Sequence, residues 1–365
     1  MNIGVLFGGI SVEHDISIIS AIQVIKALDK NKYQVIPIYI TKQGEFLSGK
    51  RYSEIETYKN VLKPKKSEYV NLTRKNKGCY LSYLYKKFKN GLKIDLILPI
   101  MHGKGVEDGN ISGFLEILNI PYISSKTLGA SILQDKEYTK IFLKEKNINT
   151  LDYIVLKNKE CHKNNNEYPL IIKPASLGSS IGISKVNNDY EYENSINQAF
   201  KYDNKIIVEK CLTNFKEYSL ALYKYKNELK ESQIEEIKFN GDIYRFIDKY
   251  QSGTKVEETH HVLPAKISNE LKNEIVSISK DIYNLLDLKG VVRVDFLYDN
   301  ETHKLYVNEV NTIPGSLGFY LFKLPFKDLL DELIKECLMD YYKQKELIEV
   351  FNSSVLVNNT LKQKK

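Results

Sequence analysis

Apolar and polar residues follow one another along the first 40 positions in an order that predicts a strand, a helix and a second strand. The run NIGVLFGG is apolar and ends in two glycines, SVEHDISIISAIQVIKALDK repeats apolar residues close to the helical period, and YQVIPIYIT is apolar again. A strand, a helix and a strand within this length are typical of a βαβ unit, in which helices cover both faces of a parallel sheet. We therefore predict an α/β fold that opens with a parallel sheet.

The pattern further along the chain divides it into segments. Residues 50–91 are polar and rich in lysine and tyrosine, which indicates an insertion into the first domain, and IDLILPIMHG (94–103) returns as a buried strand. YIVLKN and YPLIIKPA predict strands of a smaller second domain, and KIIVEKCL predicts a strand at the hinge to a third. The resulting segments are 1–125 for the first domain, 126–208 for the second, 209–348 for the third and 349–365 for a tail.

Composition narrows the class of protein. The 365 residues carry a formal net charge of +7, but the lysines are spread over the whole chain, which favours a general bias over a nucleic-acid-binding patch. The four cysteines form no CxxC pair, so neither a zinc site nor a disulfide framework is indicated. No apolar run reaches the roughly 20 residues that span a bilayer. We expect a cytoplasmic protein that binds neither nucleic acid nor membrane.

The segment PLIIKPASLGSSIG joins a β-rich run that ends in Lys173 to a loop of glycines and serines. Backbone N–H groups of such a loop approach phosphate oxygens closely, and a lysine adds positive charge, so the pair suits a polyphosphate. The Walker A pattern GxxxxGK[ST] is absent. The alternative is a flexible surface turn beside a chance lysine.

Two later segments, RVDF and NEVN, alternate polar and apolar residues along predicted strands. Arg293 and Asp295 share one face of the first strand, and Glu309 and Asn311 share one face of the second. If the strands pair, three oxygen ligands and an arginine meet on one face. Mg²⁺ prefers oxygen ligands and completes its shell with phosphates and water. The alternative is a surface salt bridge between Arg293 and a carboxylate.

Two loops at the ends of N-terminal strands complete the candidate chemistry. GGISVEHDIS places Glu13 where the first strand gives way to the helix, and ligands of open α/β sheets bind at the carboxyl ends of strands. Glu13 is therefore placed to bind an ammonium group. MHGKGVEDG places His102 at the end of another strand, where a structural role is an equal alternative.

In combination these motifs resemble the D-alanine–D-alanine ligase family of the ATP-grasp superfamily. GGISVEHDIS matches the family pattern GGxSxEHxxS, KPASLGSSIG matches KPxxxGSSxG, and RVDF and NEVNTIPG match its metal-binding and active-site strands. The resemblance covers residues 2–345 and is weakest at 50–91. It implies a Rossmann-like, parallel-sheet preATP-grasp domain, followed by a two-lobed ATP-grasp domain with its central lobe at 126–208 and its metal-binding C-terminal lobe at 209–348.

The resemblance implies roles for residues around the two amino-acid substrates. Glu13 would bind the ammonium group of the first D-alanine, supported by Ser179 and Tyr250. His102 would lie near its carboxylate. The tetrahedral intermediate would be stabilised by Arg293 and the N–H of Gly315. The second substrate's carboxylate would bind at Tyr320 and Leu321.

The resemblance also implies a nucleotide site and a metal site. The ATP-binding residues would be Lys136, Lys173, Glu209, Lys210, Leu212, Glu217 and Lys249. Two Mg²⁺ ions, or Mn²⁺ in their place, would be bound by Asp295, Glu309 and Asn311. The implied reaction converts a first D-alanine to an acyl phosphate, which the amine of a second D-alanine attacks to give D-alanyl-D-alanine for peptidoglycan. A homodimer is also implied.

Three departures from the family pattern leave alternatives open. Val106 replaces the glycine that usually precedes Glu107, one extra residue in LTNFKEYS precedes Glu217, and Tyr320 with Leu321 stands where many members have Ser-Leu. The last departure keeps a D-alanine–D-serine ligase as the alternative, whereas Tyr250 argues against a D-lactate-using ligase. A biotin-carboxylase-like enzyme and a catalytically silent nucleotide-binding protein are the remaining, more distant hypotheses.

Overall fold

A computed structural model describes most of the chain. The described residues are 1–75, 78–85, 91–103, 105, 107–157, 167–238, 260–348 and 353. Of the residues with expected roles, Lys249 and Tyr250 lie outside these ranges, as does Val106.

The described secondary structure is mixed, with 17 strands and seven α-helices. The strands are β1 (Asn2–Gly8), β2 (Gln34–Ile40), β3 (Phe46–Ser48), β4 (Val70–Lys75), β5 (Gly78–Tyr83), β6 (Leu92–Ile94), β7 (Leu96–Ile100), β8 (Tyr153–Leu156), β9 (Leu170–Pro174), β10 (Ser184–Val186), β11 (Ile206–Lys210), β12 (Phe215–Tyr225), β13 (Glu228–Glu231), β14 (Glu235–Lys238), β15 (His260–Val262), β16 (Val292–Asp299) and β17 (Leu305–Asn311). The α-helices are α1 (His14–Ala27), α2 (Asn110–Ile117), α3 (Thr127–Gln134), α4 (Lys136–Glu145), α5 (Asp189–Ala199), α6 (Asn269–Leu285) and α7 (Phe326–Gln344).

The N-terminal sheet has the strand order β3-β2-β1-β7. Strand β1 pairs in parallel with both β2 and β7, so the βαβ unit predicted from the first 40 residues is confirmed. Gly8, the last residue of β1, and Gly9 after it have left-handed backbone angles, and a Cβ on Gly8 would lie 2.2 Å from the carbonyl oxygen of Ile40. Glycine is therefore required at the turn that leads into α1.

The segment taken as a polar insertion contains regular structure that its sequence pattern did not reveal. Strands β4, β5 and β6 form a three-stranded antiparallel sheet across residues 70–94. Val70, Leu72 and Leu81 are buried in it, while Asn71 between the first two is exposed. The apolar–polar alternation is short, and the many lysines and tyrosines around it obscured the period of two.

Two further sheets form the remainder of the described chain. We call the sheet with the order β10-β9-β11-β8 the second sheet, and the sheet with the order β15-β14-β12-β16-β17, in which β13 pairs with β12, the third sheet. In the third sheet β16 and β17 are antiparallel, as required by the metal-site prediction. No helix in the described ranges is both long enough and apolar enough to cross a membrane.

Candidate active site

A cleft of about 670 Å³ is lined by residues of the second and third sheets, by α1, and by the loops that follow β1 and β7 of the N-terminal sheet. The residues predicted from sequence that line it are Glu13, His102, Lys136, Lys173, Ser179, Glu209, Lys210, Leu212, Glu217, Arg293, Asp295, Glu309, Asn311, Gly315 and Tyr320. The side chain of Leu321 does not line the cleft. It is fully buried in the core next to the cleft, and its carbonyl oxygen accepts a hydrogen bond from the backbone N–H of Gln233 at 3.0 Å.

Glu13 connects the N-terminal sheet to the glycine–serine loop. It is only 4% exposed, and its Oε1 accepts a short hydrogen bond from the hydroxyl of Ser179. Ser179 has a left-handed φ of 52°, which turns its side chain back toward Glu13. Gly103 approaches the same carboxylate, because a Cβ there would lie 2.6 Å from Oε2. The contact brings together two segments that are 166 residues apart in sequence.

His102 lies behind this carboxylate and is buried. Its Nε2 lies 3.0 Å from the hydroxyl of Ser20, which in turn accepts a hydrogen bond from the N–H of Ser316 at 3.2 Å. Burial lowers the pKa of His102 to about 4, although a hydrogen bond to the backbone of Ile313 opposes that shift. His102 is therefore a neutral ring that links α1 to the loop after β17.

The lysines of the cleft surround one buried carboxylate. Glu209, at the end of β11, is 2.6 Å from Nζ of Lys173 and 2.7 Å from Nζ of Lys140. Burial alone would raise the pKa of Glu209, but the two lysines outweigh burial and lower it. Lys136 is 8% exposed, donates to the carbonyl of Leu177, and has a pKa lowered by burial. This end of the cleft is suited to a polyanion.

The Glu209 side chain is paired with lysines, whereas the backbone that follows Glu209 extends beyond the last pair with β8. The ladder of β11 with β8 ends at the pair Glu209–Tyr153, whereas the ladder with β9 continues to Lys210 and Leu170. Lys210 and Leu212 line the cleft beyond this point. The Glu209 carboxylate already pairs with two lysines. A ligand that binds at the end of β11 would therefore contact the backbone there and not the Glu209 side chain. Glu217 lines the same region from β12.

Four strands of the third sheet align their polar residues in one row across the cleft. Glu235 on β14 is opposite Ser219 on β12, Ser219 is opposite Asp295 on β16, and Asp295 is opposite Glu309 on β17. Directly opposed residues of antiparallel strands point to the same face. We call these four residues the polar row. The predicted pairing of RVDF with NEVN is confirmed, with Arg293 opposite Asn311.

Asp295 accepts hydrogen bonds at both carboxylate oxygens. Arg293 donates through Nε at 2.7 Å and Nη2 at 2.6 Å, Ser219 donates at 2.7 Å, and Asn311 donates at 2.9 Å. Burial would lower the pKa of Arg293, but the Asp295 carboxylate raises it overall, so the guanidinium stays charged. A carboxylate offers about four lone-pair positions, and all four of Asp295 are used.

The loop that closes this end of the cleft runs from Gly315 to Leu321. Ser316, Leu317 and Gly318 all have left-handed φ values of 48–56°. Left-handed backbone costs roughly 1–2 kcal/mol for each residue with a side chain, so packing must hold this loop in place. A Cβ on Gly315 would meet no heavy atom of the described residues within 4 Å, so the backbone there is open on the side where a side chain would project.

The cleft and the residues that contact its lining include functional candidates that the sequence patterns did not reveal. Glu107 accepts a short hydrogen bond from the N–H of Gly103, and burial together with Glu13 raises its pKa well above the usual value. Lys140 follows Lys136 by one helical turn, a spacing that places both on one face of α4. Glu235 and His261 also line the cleft. Lys140 had a local signal in this spacing of four residues, and Glu107 stands in the segment MHGKGVEDG, in which the sequence pattern indicated only His102 as a candidate.

The two parts of the chain match two family models. Residues 2–125 match the model described as D-ala D-ala ligase N-terminus, and residues 142–334 match D-ala D-ala ligase C-terminus. Among similar proteins, a D-alanine–D-alanine ligase of Thermosipho melanesiensis is 40% identical over 362 residues, covering 96% of this chain and 97% of the relative. One of Thermosipho africanus is 42% identical over 346 residues, covering 92% of each.

Solved structures agree with this relationship. A D-alanine–D-alanine ligase of Helicobacter pylori has a TM-score of 0.73 at 28% identity, covering 92% of this chain and 98% of its own. The VanG D-Ala:D-Ser ligase of Enterococcus faecalis has a TM-score of 0.75 at 28% identity, covering 92% and 99%. A D-alanine–D-alanine ligase of Bacillus anthracis, complexed with ATP, has a TM-score of 0.66 at 26% identity, covering 94% and 99%.

The fold and the cleft are those of an ATP-grasp ligase, with a parallel N-terminal sheet set against two sheets that carry the lysines and the polar row. Within that class, the matches over both halves show that the chain belongs to the D-alanine–D-alanine ligase family.

Proposed function

We propose that this protein joins two D-alanine molecules into D-alanyl-D-alanine, with conversion of ATP to ADP and phosphate, for peptidoglycan synthesis. The observation that carries the proposal is the contact of the buried Glu13 carboxylate with Ser179 of the glycine–serine loop. It places an anion suited to an ammonium group in the same cleft as the phosphate-binding candidates Lys136 and Lys173. An amino acid and a polyphosphate would therefore meet there.

The nucleotide would lie between the second and third sheets. Lys136 and Lys173 would bind its phosphates, and Lys249, outside the described residues, would approach the γ-phosphate. The backbone of Glu209, Lys210 and Leu212 would bind adenine, and Glu217 would bind the ribose. The open backbone edge beyond the Glu209–Tyr153 pair supports the adenine assignment.

The polar row provides a donor set that fits Mg²⁺. In the described ranges no three His, Cys, Asp or Glu side chains converge as a metal site, so the third ligand would be the amide oxygen of Asn311, after Asp295 and Glu309. Because Asp295 already accepts four hydrogen bonds, metal binding there would replace one of them. When bound, Mg²⁺ or Mn²⁺ would neutralise charge on the phosphates.

The first D-alanine would bind with its ammonium at Glu13, supported by Ser179 and by Tyr250, which lies outside the described residues. Neutral His102 would lie near its carboxylate without adding charge. Arg293 and the N–H of Gly315 would stabilise the oxyanion of the tetrahedral intermediate. The Arg293–Asp295 pair holds that guanidinium in a fixed direction before substrate arrives, so little reorganisation accompanies reaction.

A second candidate, ligation of D-alanine to D-serine, rests on two observations. The VanG D-Ala:D-Ser ligase is structurally similar at 28% identity, and Tyr320 lines the cleft where a serine is usual in the family. A pocket without a matched partner discriminates against one added hydroxyl by only about 1–3 kcal/mol. We expect D-alanine to be preferred and D-serine to be used measurably.

The test is product analysis with purified protein, ATP, Mg²⁺ and D-alanine, with and without D-serine. Mass spectrometry should detect D-alanyl-D-alanine together with stoichiometric ADP and phosphate, and L-alanine should give neither. ATP turnover without dipeptide would refute the proposal. A larger kcat/KM for D-serine than for D-alanine at the second position would favour the alternative.

The wider organisation completes the proposal. The amino-acid-binding domain would span 1–125, the two ATP-grasp lobes 126–208 and 209–348, and the tail 349–365. The protein would act in the cytoplasm, where ATP is available, as a homodimer. Sedimentation equilibrium at working concentration tests the dimer, and a monomer mass that persists at high concentration would exclude it.

A further inference from the structure

Three side chains meet at the edge of the cleft: Glu235 on β14, His261 on β15, and Tyr320 in the loop from Gly315 to Leu321. The hydroxyl of Tyr320 donates to Oε2 of Glu235 at 3.0 Å, and Nδ1 of His261 lies 2.8 Å from Oε1 of the same carboxylate. Glu235 is only 2% exposed, whereas Tyr320 is 45% exposed and lines the cleft with Arg293. A buried carboxylate thus fixes two more accessible polar groups.

The position of Glu235 ties this cluster to the reacting groups. Glu235 begins the polar row, two strands away from Asp295 and on the same face. Its neighbour Glu236 points to the opposite face, is 5% exposed, and lies 3.7 Å from Lys216. Only the first of these two buried carboxylates is therefore directed into the cleft.

The number of hydrogens on the Tyr320 hydroxyl decides whether it donates or accepts a hydrogen bond in the cleft. A tyrosine hydroxyl has one hydrogen to donate, and an ionised carboxylate can only accept. Since Tyr320 donates to Glu235, its oxygen can only accept from a ligand in the cleft. The second contact, from His261, strengthens this arrangement, and the hydrogen bond to Glu235 raises the pKa of His261 against the effect of burial.

Because its one hydrogen is already donated to Glu235, the Tyr320 hydroxyl cannot donate to the carboxylate of a second amino acid. A serine whose hydroxyl hydrogen is not already donated could do so. It can accept from an amine. We propose, resting on the ligase function proposed above, that Glu235 and His261 are positioning residues that make Tyr320 a hydrogen-bond acceptor for the amine of the second D-amino acid. The acceptor would direct the nitrogen lone pair, which is the nucleophile, toward the carbonyl carbon of the acyl phosphate.

The test compares three variants by steady-state kinetics, with separate KM values for ATP and for the first and second D-alanine. Tyr320→Phe should raise the second KM about tenfold, the value of one hydrogen bond of roughly 1 kcal/mol or slightly more. Glu235→Gln should raise it at least as much, because an amide N–H can donate to the tyrosine and turn its hydrogen toward the incoming amine. The KM values for ATP and for the first D-alanine should stay within about twofold.

Glu236→Gln is the matched control, with the same chemical change at the next position of β14 but on the opposite face. It should affect thermal stability and leave the second KM unchanged. An unchanged second KM in Tyr320→Phe, or equal effects of Glu235→Gln and Glu236→Gln, would overturn the inference while leaving the ligase function intact. If the wild-type protein makes no dipeptide, the proposed function fails and this inference fails with it.

Discussion

At one end of the cleft, lysines surround a carboxylate, whereas at the other end hydrogen bonds to two carboxylates fix the direction of uncharged polar side chains. The first, the phosphate end, comprises Lys136, Lys173 and Glu209, which line the cleft, together with Lys140, which pairs with Glu209. Its three cations outnumber its one anion, so it retains positive charge for a polyphosphate. The side chains are buried and paired before any ligand binds.

The second, the amino-acid end, comprises Glu13, Ser179, His102, Glu235 and Tyr320. Here each carboxylate accepts from a hydroxyl, and the histidine is neutral. The difference indicates how one cleft serves two kinds of ligand. Charge gives strong but undirected attraction to phosphates, while fixed donors and acceptors give the orientation that two small, similar amino acids require.

The largest effect is expected for Glu309, a residue of the polar row that is proposed to bind Mg²⁺. Glu309→Gln should lower kcat about 1,000-fold, because an amide cannot supply the negative charge that holds Mg²⁺, an ion worth several kcal/mol in such sites. The fold should survive, since Glu309 is only partly buried. Glu301→Gln, in the exposed turn between β16 and β17, is the control. Near-normal activity of Glu309→Gln at saturating Mg²⁺ would show that Glu309 does not bind the metal.

The neutral histidine provides a test of the amino-acid end through stability. The pKa of His102 falls from 6.5 to about 4 on folding, so the unfolded chain binds a proton more readily. The contribution of His102 to the free energy of unfolding is therefore fully present above pH 6.5. It decreases by about 3 kcal/mol as the pH falls toward 4. Urea unfolding of wild type and His102→Gln between pH 7 and 4.5 should show a smaller loss in the variant.

His303→Gln is the control for that experiment, because His303 is exposed in the turn after β16. It should retain the wild-type dependence of stability on pH. An identical dependence in His102→Gln and wild type would mean that His102 is not kept neutral by burial, and the amino-acid end would then carry more positive charge than the comparison assigns to it.

An intermediate effect is expected for a lysine of the phosphate end. Lys173→Met should raise the KM for ATP about 50-fold, the value of one charged hydrogen bond to phosphate. The fold should tolerate it because Lys140 still pairs with Glu209 at 2.7 Å. Isothermal titration with ADP measures the loss directly, and Lys201→Met, at an exposed position in the same lobe, should bind ADP normally. Equal affinity in both variants would contradict the assignment of Lys173.

The sequence was sufficient for features that rest on local patterns. The period of two in RVDF and NEVN predicted the face shared by Arg293, Asp295, Glu309 and Asn311, and β16 and β17 pair as required. The same reasoning found the βαβ unit at the N-terminus. In both cases the structure follows from neighbours along the strand and from a short connection.

Features that depend on distant contacts were not predictable in this way. His261 reaches Glu235 from 26 positions away, and Tyr320 reaches it from 85. In the sequence Glu235 is one of two adjacent glutamates, and no local pattern tells which of them faces the cleft. The sheet at residues 70–94 was missed because its apolar alternation is short and surrounded by polar residues. The paired strands of the metal site were thus more predictable than the cluster of Glu235, His261 and Tyr320.

The smallest effect is expected at the contact between Glu13 and the glycine–serine loop. Ser179→Ala removes the hydroxyl that donates to Glu13, and alanine suits the left-handed φ of 52° no worse than serine does. The freed carboxylate oxygen can be partly satisfied by the ammonium of D-alanine itself. We therefore expect only about a tenfold rise in the KM for the first D-alanine, with the KM for ATP unchanged. Ser180→Ala is the matched control, since Ser180 has a similar φ of 58°. If both variants change the first KM equally, the loop conformation and not the Glu13 contact orients the first substrate, and the amino-acid end would owe its selectivity to backbone geometry.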